Sequence, residues 1–178
     1  MAGPVVASAV ILDAGRIPPG IKDSKQLTAS ARARLYDAIT ARAVGVGVGV
    51  VPPEVIDRAN ILEATLEAMV KAVLSLGTMP DCVVVDGRNL PCLPVPVVGL
   101  VKGDSRCVSV AAASIVAKVT RDNIMLAMDA VYPQYGFGRN KGYGTPDHIE
   151  ALRHYGPTRI HRFSFEPVSA SLGARLEE

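Results

Sequence analysis

The feature that most restricts the fold of this chain is a repeated alternation between short apolar runs and segments with helical periodicity. The apolar runs are rich in valine and lie at residues 4–12, 44–51, 82–86 and 95–101. Runs of this kind, bounded by turn residues, predict strands that are buried in a sheet. Helical segments lie at residues 28–43, 60–76 and 108–130, and a shorter helix is expected from Pro146. Strands mixed with helices in a chain of 178 residues predict one α/β domain over residues 1–178.

The second apolar run, VGVGVGVV, carries three glycines at alternate positions. A dinucleotide-binding loop needs the spacing G-x-G-x-x-G at the start of a helix, whereas Pro52 and Pro53 follow here. An enzyme with a nucleotide cofactor is therefore disfavoured. Glycine within a strand more often marks a bulge or the close approach of another backbone. On the next helix, an apolar stripe is expected to pack in the core: Leu62, Leu66, Met69, Val70 and Val73.

The composition indicates a cytoplasmic protein. The chain has three cysteines, an odd number with no C-x-x-C pair, which disfavours a disulfide framework and a zinc site. The segment that begins at Met1 lacks the basic region of a secretory signal, and no apolar run approaches membrane-spanning length. The formal net charge of +2 is too small to identify a nucleic-acid-binding protein by itself. We therefore expect no association with a membrane.

Two carboxylates follow consecutive apolar runs: Asp86 ends the third run, and Asp104 lies just beyond the fourth. If the two strands are parallel neighbours, both carboxylates lie at one edge of the sheet. A hard cation such as Mg²⁺ or Mn²⁺ would then relieve their mutual repulsion. Two alternatives remain open. Asp86 can be a turn residue before glycine, and Asp104 can pair with Lys102 or Arg106.

Residues 135–145 interleave aromatic, glycine and basic residues. Aromatic rings stack on bases or sugars and cations hold phosphates, so this pattern fits a contact with nucleic acid. The alternative is a mobile surface loop. His161 follows in a second basic and aromatic segment, where a lone histidine is more often structural than catalytic.

Taken together, ten short motifs resemble bacterial ribonuclease HII, in the order and spacing found in that family. The resemblance covers the chain from Ala2 to about Val168. The motifs are DSKQL at 23–27, NIL at 60–62, VDG at 85–87, KGDS at 102–105, AASI at 112–115, AKV at 117–119, TRD at 120–122, YGF at 135–137, KGY at 141–143 and HR at 161–162.

The resemblance implies an RNase H-like fold, in which a mixed central sheet is flanked by helices. It also implies hydrolysis of the RNA strand of RNA–DNA hybrids and incision 5′ of ribonucleotides embedded in duplex DNA, as in ribonucleotide excision during replication and repair. The family uses four carboxylates with Mn²⁺ or Mg²⁺. We expect a monomer, and the resemblance identifies no protein partner.

The family's site residues carry over to five positions of this chain. Asp86 matches the third carboxylate and Asp104 the fourth, so both are expected to bind metal and to act in catalysis. Lys25 matches a lysine near the substrate phosphate, and Lys102 is expected to contact the substrate as well. Tyr143 matches the tyrosine that packs against the sugar beside the ribonucleotide.

One departure from the family changes the expected activity. Members begin with a strand that ends in D-E-x-G-R-G-P, which supplies the first two carboxylates and senses the 2′-hydroxyl. That segment would precede the MAGP with which this sequence opens. The DAGR at residues 13–16 resembles the motif in letters only, because it lacks the Glu and follows the second strand. A smaller departure is Asn140, where many members have His.

We therefore expect a domain that is incomplete at its N-terminus, lacks its first strand and is inactive as the 178-residue chain. In this interpretation Met1 is an internal residue of a longer protein. Two rival hypotheses are a nucleic-acid-binding protein without catalysis and a chain that does not fold alone.

Overall fold

The computed structural model describes residues 1–173. Its strands are β1 (Val5–Ile11), β2 (Gly45–Val51), β3 (Val83–Asp86) and β4 (Val97–Leu100). Its helices are α1 (Ala29–Arg42), α2 (Pro53–Ala59), α3 (Ile61–Leu74), α4 (Val108–Val131), α5 (Phe137–Asn140), α6 (Pro146–Tyr155) and α7 (Glu166–Gly173). Short 3₁₀ turns lie at Ser24–Gln26, Gly103–Ser105 and Pro133–Tyr135. Each predicted strand and helix is therefore present.

The chain divides into two compact units. The strand unit comprises Val6–Val50 and Thr65–Thr120, and it holds nearly all strand residues. The helical unit comprises Met1–Val5, Val51–Ala64 and the described residues 121–173. None of the helices within residues 1–173 combines the length and the apolar character that a membrane crossing requires.

The strands of the strand unit form two separate pairs. The β1–β2 pair begins where the Val44 N–H donates to the Ile11 carbonyl at 2.8 Å, so the end of β1 lies beside the start of β2. The β3–β4 pair is parallel, with register from Val83 opposite Val97 to Asp86 opposite Leu100. In the described chain no ladder joins the two pairs, so the sheet is divided into two.

The glycines of β2 allow α3 to approach the strand closely. A Cβ added at Gly47 or Gly49 would collide with the backbone carbonyls of Ala72 and Ala68. The prediction of a close backbone approach is therefore confirmed. Alanines rather than the larger apolar residues fill this contact, and Leu62 from the predicted core stripe is 41% exposed. The predicted stripe is wrong at Leu62, which lies in the first turn of α3, before the residues that contact β2.

Helix α1 begins as its capping residue predicts. The Thr28 hydroxyl accepts from the Ala31 N–H at 3.2 Å, which satisfies one of the free amides of the first turn. The helix buries Ile39 against Ile115 and Val116 of α4. This cluster is the core of the strand unit.

The helical unit has an aromatic core. Tyr135 and Phe137 stack with ring centroids 5.4 Å apart, and they are 2% and 0% exposed. Ala2 and Met125 pack in the same cluster. For these two rings, both interpretations of residues 135–145 are wrong, since buried core rings neither stack on bases nor belong to a mobile loop.

Candidate metal and nucleic-acid site

Parallel pairing brings the segment of Asp104 against Asp86. Asp86 is the last residue of β3, and the chain turns after β4 through Lys102, whose φ of 56° and ψ of 44° are left-handed. This turn directs the Gly103 N–H to the Asp86 carboxylate, with 2.8 Å between the nitrogen and Oδ1. The condition on which the shared edge depended, parallel strands, is therefore met.

A side chain at position 103 would fit only tightly beside this contact. A Cβ on Gly103 would lie 3.4 Å from the Asp86 Cα and 3.2 Å from Val110 Cγ1. The preceding Lys102 adopts a conformation that costs a non-glycine residue about 1 kcal/mol or more. The chain thus carries backbone strain next to the hydrogen bond between Gly103 and Asp86.

The two carboxylates differ in their surroundings. Asp86 is exposed, whereas Asp104 is only 9% exposed. The Lys25 ammonium lies 3.6 Å from Asp104 Oδ2, and the Lys25 side chain is 81% exposed. An ion pair this exposed contributes little to stability, so the ammonium remains available to a ligand. The pairing of Asp104 in this structure is with Lys25, not with either of the two cations that the sequence suggested.

The turn that carries Lys25 is firmly anchored. Asp23 caps it by accepting the Lys25 backbone N–H at 2.9 Å. The Ser114 hydroxyl of α4 donates to the Ser24 hydroxyl at 2.7 Å, and Arg32 of α1 donates to the Ser24 carbonyl at 2.8 Å. A polar recess of about 340 Å³, lined in part by Lys22 and Arg106, opens beside Asp104.

The donor chemistry suits a hard divalent cation, but the set of ligands is small. One Asp86 oxygen accepts the Gly103 N–H, which leaves its other oxygen and the Asp104 carboxylate as ligands of the kind that Mg²⁺ and Mn²⁺ prefer. Among residues 1–173, no group of three or more His, Cys, Asp or Glu side chains is arranged to hold a metal ion. The residues present therefore fit the metal in kind and fall short in number.

A cavity of about 460 Å³ lies between β1 and β3 and reaches Asp86. Residues 6–12 and 83–86 line it consecutively. Because successive side chains of a strand point to opposite faces, a cavity that touches every residue lies along the strand edge. Met69 and Val73 of α3 and Val110 and Ala113 of α4 complete the lining. We call this space the edge cavity.

Tyr143, the fifth predicted site residue, belongs to the helical unit. Its ring is 55% exposed, and the Arg121 guanidinium carbon lies 5.0 Å from the ring centroid. Its backbone is held by His148, whose Nδ1 is 2.8 Å from the Tyr143 carbonyl oxygen. Asn140, the smaller family departure, also orders this loop, since its side chain donates to the Tyr135 carbonyl and accepts from the Gly142 N–H.

Two arginines that the sequence did not single out as functional hold the first residues of the chain in place. Arg121 donates to the Ala2 carbonyl at 3.2 Å, and Arg162 donates to the Gly3 carbonyl at 3.0 Å. Both also donate to the Pro4 carbonyl. The motifs TRD and HR contained these residues, but nothing in their spacing indicated a common target.

The sequence model of the family described as Ribonuclease HII matches residues 1–168. A ribonuclease HII from Geobacillus kaustophilus (strain HTA426) is 52% identical over 174 residues, which are 98% of this chain and 66% of that protein. This chain therefore spans just under two thirds of that relative.

Solved structures show the same architecture. The ribonuclease H2 of Pyrococcus horikoshii OT3 matches with a TM-score of 0.78 at 24% identity, covering 100% of both chains. The structure of Bst-RNase HIII in complex with Mn²⁺ matches with a TM-score of 0.70 at 20% identity, covering 99% of this chain and 67% of that one.

Proposed function

Because this chain belongs to the ribonuclease HII family, we propose that its protein is an endonuclease that hydrolyses the RNA strand of RNA–DNA hybrids and incises duplex DNA 5′ of embedded ribonucleotides. The fold is RNase H-like, as the sequence predicted. The observation that carries the proposal is the parallel pairing of β3 and β4. It sets the Asp86 carboxylate against the backbone N–H of the residue before Asp104.

Asp86 and Asp104 hold Mn²⁺ or Mg²⁺ in this proposal. The oxygen donors of the two residues and the Mn²⁺ complex of Bst-RNase HIII support it. A divalent ion supplies water activation and charge stabilisation at the leaving oxygen when it is bound. The chain's own contribution is orientation: the Gly103 N–H fixes one Asp86 oxygen and leaves the other free to bind.

Three further residues contact the substrate in this proposal. Lys25 lies beside Asp104, and Lys102 precedes Asp104 by two residues in the chain. Both lysines are exposed cations that would neutralise phosphates. The exposed Tyr143 ring would pack against a sugar or base, with Arg121 supporting its position. A 2′-hydroxyl is the group that distinguishes the ribonucleotide from its neighbours.

The active protein contains one more strand than the described chain, placed in the edge cavity between β1 and β3. Three observations support this: the two strand pairs share no ladder, both flanking strands offer an edge to the cavity, and helices α3 and α4 line its sides. Unpaired strand edges readily accept a further strand. A strand there would end near Asp86 and could add the carboxylates that the metal site lacks. Residues 1–178 then form one domain that is incomplete and inactive without this strand.

The test compares the 178-residue chain with the extended protein, meaning this chain preceded by the residues encoded upstream. The substrate is duplex DNA with one ribonucleotide, and DNA without it is the control. We expect cleavage by the extended protein only, on the 5′ side of the ribonucleotide and only with Mn²⁺ or Mg²⁺. Cleavage in excess chelator would overturn the metal site. Cleavage by the 178-residue chain would overturn the account of the missing strand.

The rival function, nucleic-acid binding without catalysis, makes a different prediction in the same experiment. The 178-residue chain and the extended protein would then both bind the ribonucleotide duplex and leave it uncut. A chain that does not fold alone would show no cooperative melt. A cytoplasmic location is also proposed, and the free thiols of Cys82, Cys92 and Cys107 support it.

A further inference from the structure

The helical unit buries two histidines in direct contact. His148 and His161 are each 0% exposed, and their Nε2 atoms are 3.1 Å apart. The rings of Tyr135 and Phe137 surround them, with centroids 4.9 Å and 5.8 Å from that of His161. A contact between two imidazoles in an apolar core is stable only if one ring donates and the other accepts.

The outer nitrogen of each ring determines its tautomer. The Thr158 backbone N–H donates to His161 Nδ1 at 3.0 Å, so this nitrogen carries no proton. His148 Nδ1 lies 2.8 Å from the Tyr143 carbonyl oxygen, which can only accept, so this nitrogen carries the proton. The neutral His161 is therefore protonated at Nε2, and the neutral His148 is bare at Nε2.

These assignments make the central contact a good hydrogen bond. His161 Nε2–H donates to His148 Nε2, and His148 Nδ1–H donates to the Tyr143 carbonyl. The three hydrogen bonds from Thr158 to Tyr143 therefore all run in the same donor-to-acceptor direction. The last acceptor is the backbone of an exposed residue in a loop of the helical unit.

We propose that His161 and His148 form an ordered relay of neutral imidazoles that positions the Tyr143 loop for the substrate. The proposal rests on the substrate role of Tyr143 under the proposed function, and the two histidines are positioning residues. The other side of the loop is held by Arg121, which donates to the Lys141 carbonyl at 2.9 Å. The Tyr143 ring is thus displayed from a backbone that is fixed at both sides.

The groups that face the pair oppose its protonation. Burial disfavours a positive charge on either ring, and Arg162 follows His161 directly in the chain. Tyr135 faces the pair with its ring, and its hydroxyl donates to the Gly156 carbonyl. A proton added to His148 would place two N–H groups head to head at the Nε2 contact, and a proton added to His161 at Nδ1 would face the Thr158 N–H, so the relay would lose its order in either case.

The tautomers are measured directly, on the extended protein labelled with ¹⁵N-histidine, by long-range ¹H–¹⁵N correlation at pH 7.5. We expect His148 protonated at Nδ1 and His161 at Nε2. The exposed His154, on the same helix as His148, is the internal reference. A His148 protonated at Nε2, or three histidines with the shifts of free imidazole, would overturn the relay.

Two substitutions at one position separate positioning from packing. In His148→Asn the amide nitrogen can replace Nδ1 and keep the bond to Tyr143, whereas in His148→Gln it replaces Nε2 and releases Tyr143. Losing one hydrogen bond predicts about 2- to 12-fold weaker binding of the ribonucleotide duplex by His148→Gln than by His148→Asn. Fluorescence anisotropy measures this, with His154→Asn as control and melting curves as a check of folding.

The outcomes keep the two proposals apart. Equal losses in both variants would show that His148 only packs, even if the tautomers are as expected. These binding measurements use the extended protein, and a parent extended protein that does not prefer the ribonucleotide duplex over plain DNA would contradict the role of Tyr143 and the proposed function. In that case the tautomer spectrum alone would decide whether the relay exists.

Discussion

The two units of this chain differ in how fully their interiors are packed and their hydrogen-bonding groups are paired. In the helical unit, the buried Arg162, the half-buried Arg121 and two buried histidines all have hydrogen-bond partners beside an aromatic core. In the strand unit, every residue of β1 is only half-buried, and a cavity of about 460 Å³ runs along the strand edge. The first arrangement is complete by itself. The second requires a partner, because paired edges and filled cores are what make a sheet stable.

The largest effect is expected from filling the edge cavity. About five apolar side chains on an added strand, at roughly 1.5–3 kcal/mol each, amount to about 7–15 kcal/mol. This is comparable to the whole stability of a typical domain, about 5–15 kcal/mol. The extended protein should therefore melt cooperatively and far above the 178-residue chain, and the amides of β1 and β3 should become protected from hydrogen exchange.

The control for that experiment is an extension of equal length whose upstream residues are shuffled. Protection that rises equally with the shuffled extension would show that the edge cavity does not select a strand. Protection confined to the helical unit would show that the added residues bind elsewhere.

The next effect concerns Asp86 in the extended protein. Asp86→Asn keeps the shape of the side chain and removes the charge that faces the metal, so cleavage should fall about 10²-fold or more. Substrate affinity should change little. Asp81→Asn, an exposed carboxylate before the same strand, is the matched control. Near-normal turnover of Asp86→Asn, measured under single-turnover conditions, would identify Asp86 as a turn residue only.

What the sequence could predict follows from the range of each signal. Strand and helix positions rest on local periodicity, and Thr28, β2 and α4 lie where that periodicity indicated. The parallel pairing of β3 with β4 is a relation between separate segments, which local periodicity does not contain. The sequence could therefore place Asp86 and Asp104 at one edge of the sheet only on the condition that the strands are parallel. The roles of the five site residues remain predictions.

The burial of aromatic residues shows the opposite limit. Tyr135, Phe137 and Tyr143 lie within nine residues of one another, and the sequence treated them as one nucleic-acid-contacting loop. Two of them are core rings and one is exposed. Local composition cannot make this distinction, because burial depends on which distant side chains pack against each ring.

A smaller effect is expected from Tyr143 itself. A stacked ring contributes roughly 1–3 kcal/mol, so Tyr143→Ala in the extended protein should weaken cleavage at a single ribonucleotide about 5- to 150-fold. Tyr143→Phe keeps the ring and should stay near the parent, and Tyr155→Ala removes another exposed ring of the helical unit as a control. Equal cleavage by Tyr143→Ala and its parent would refute the contact.

The smallest effect tests the closed core of the helical unit through pH. Burial, and then the neighbouring His148, lower the pKa of His161 to about 4, and burial lowers the pKa of His148 as well. An unfolded histidine has a pKa of about 6.5, so between these values the unfolded chain binds more protons than the folded chain. The stabilisation is therefore complete above about pH 6.5 and is lost as the pH falls towards 4.

Urea unfolding of the extended protein should show a loss of about 1 kcal/mol between pH 7.5 and 5.5. His161→Gln removes this titration and should flatten the dependence, whereas His154→Gln should leave it unchanged. A parent protein whose stability rises on acidification over this range would mean that the pair is protonated in the fold, and the ordered relay to Tyr143 could not then exist.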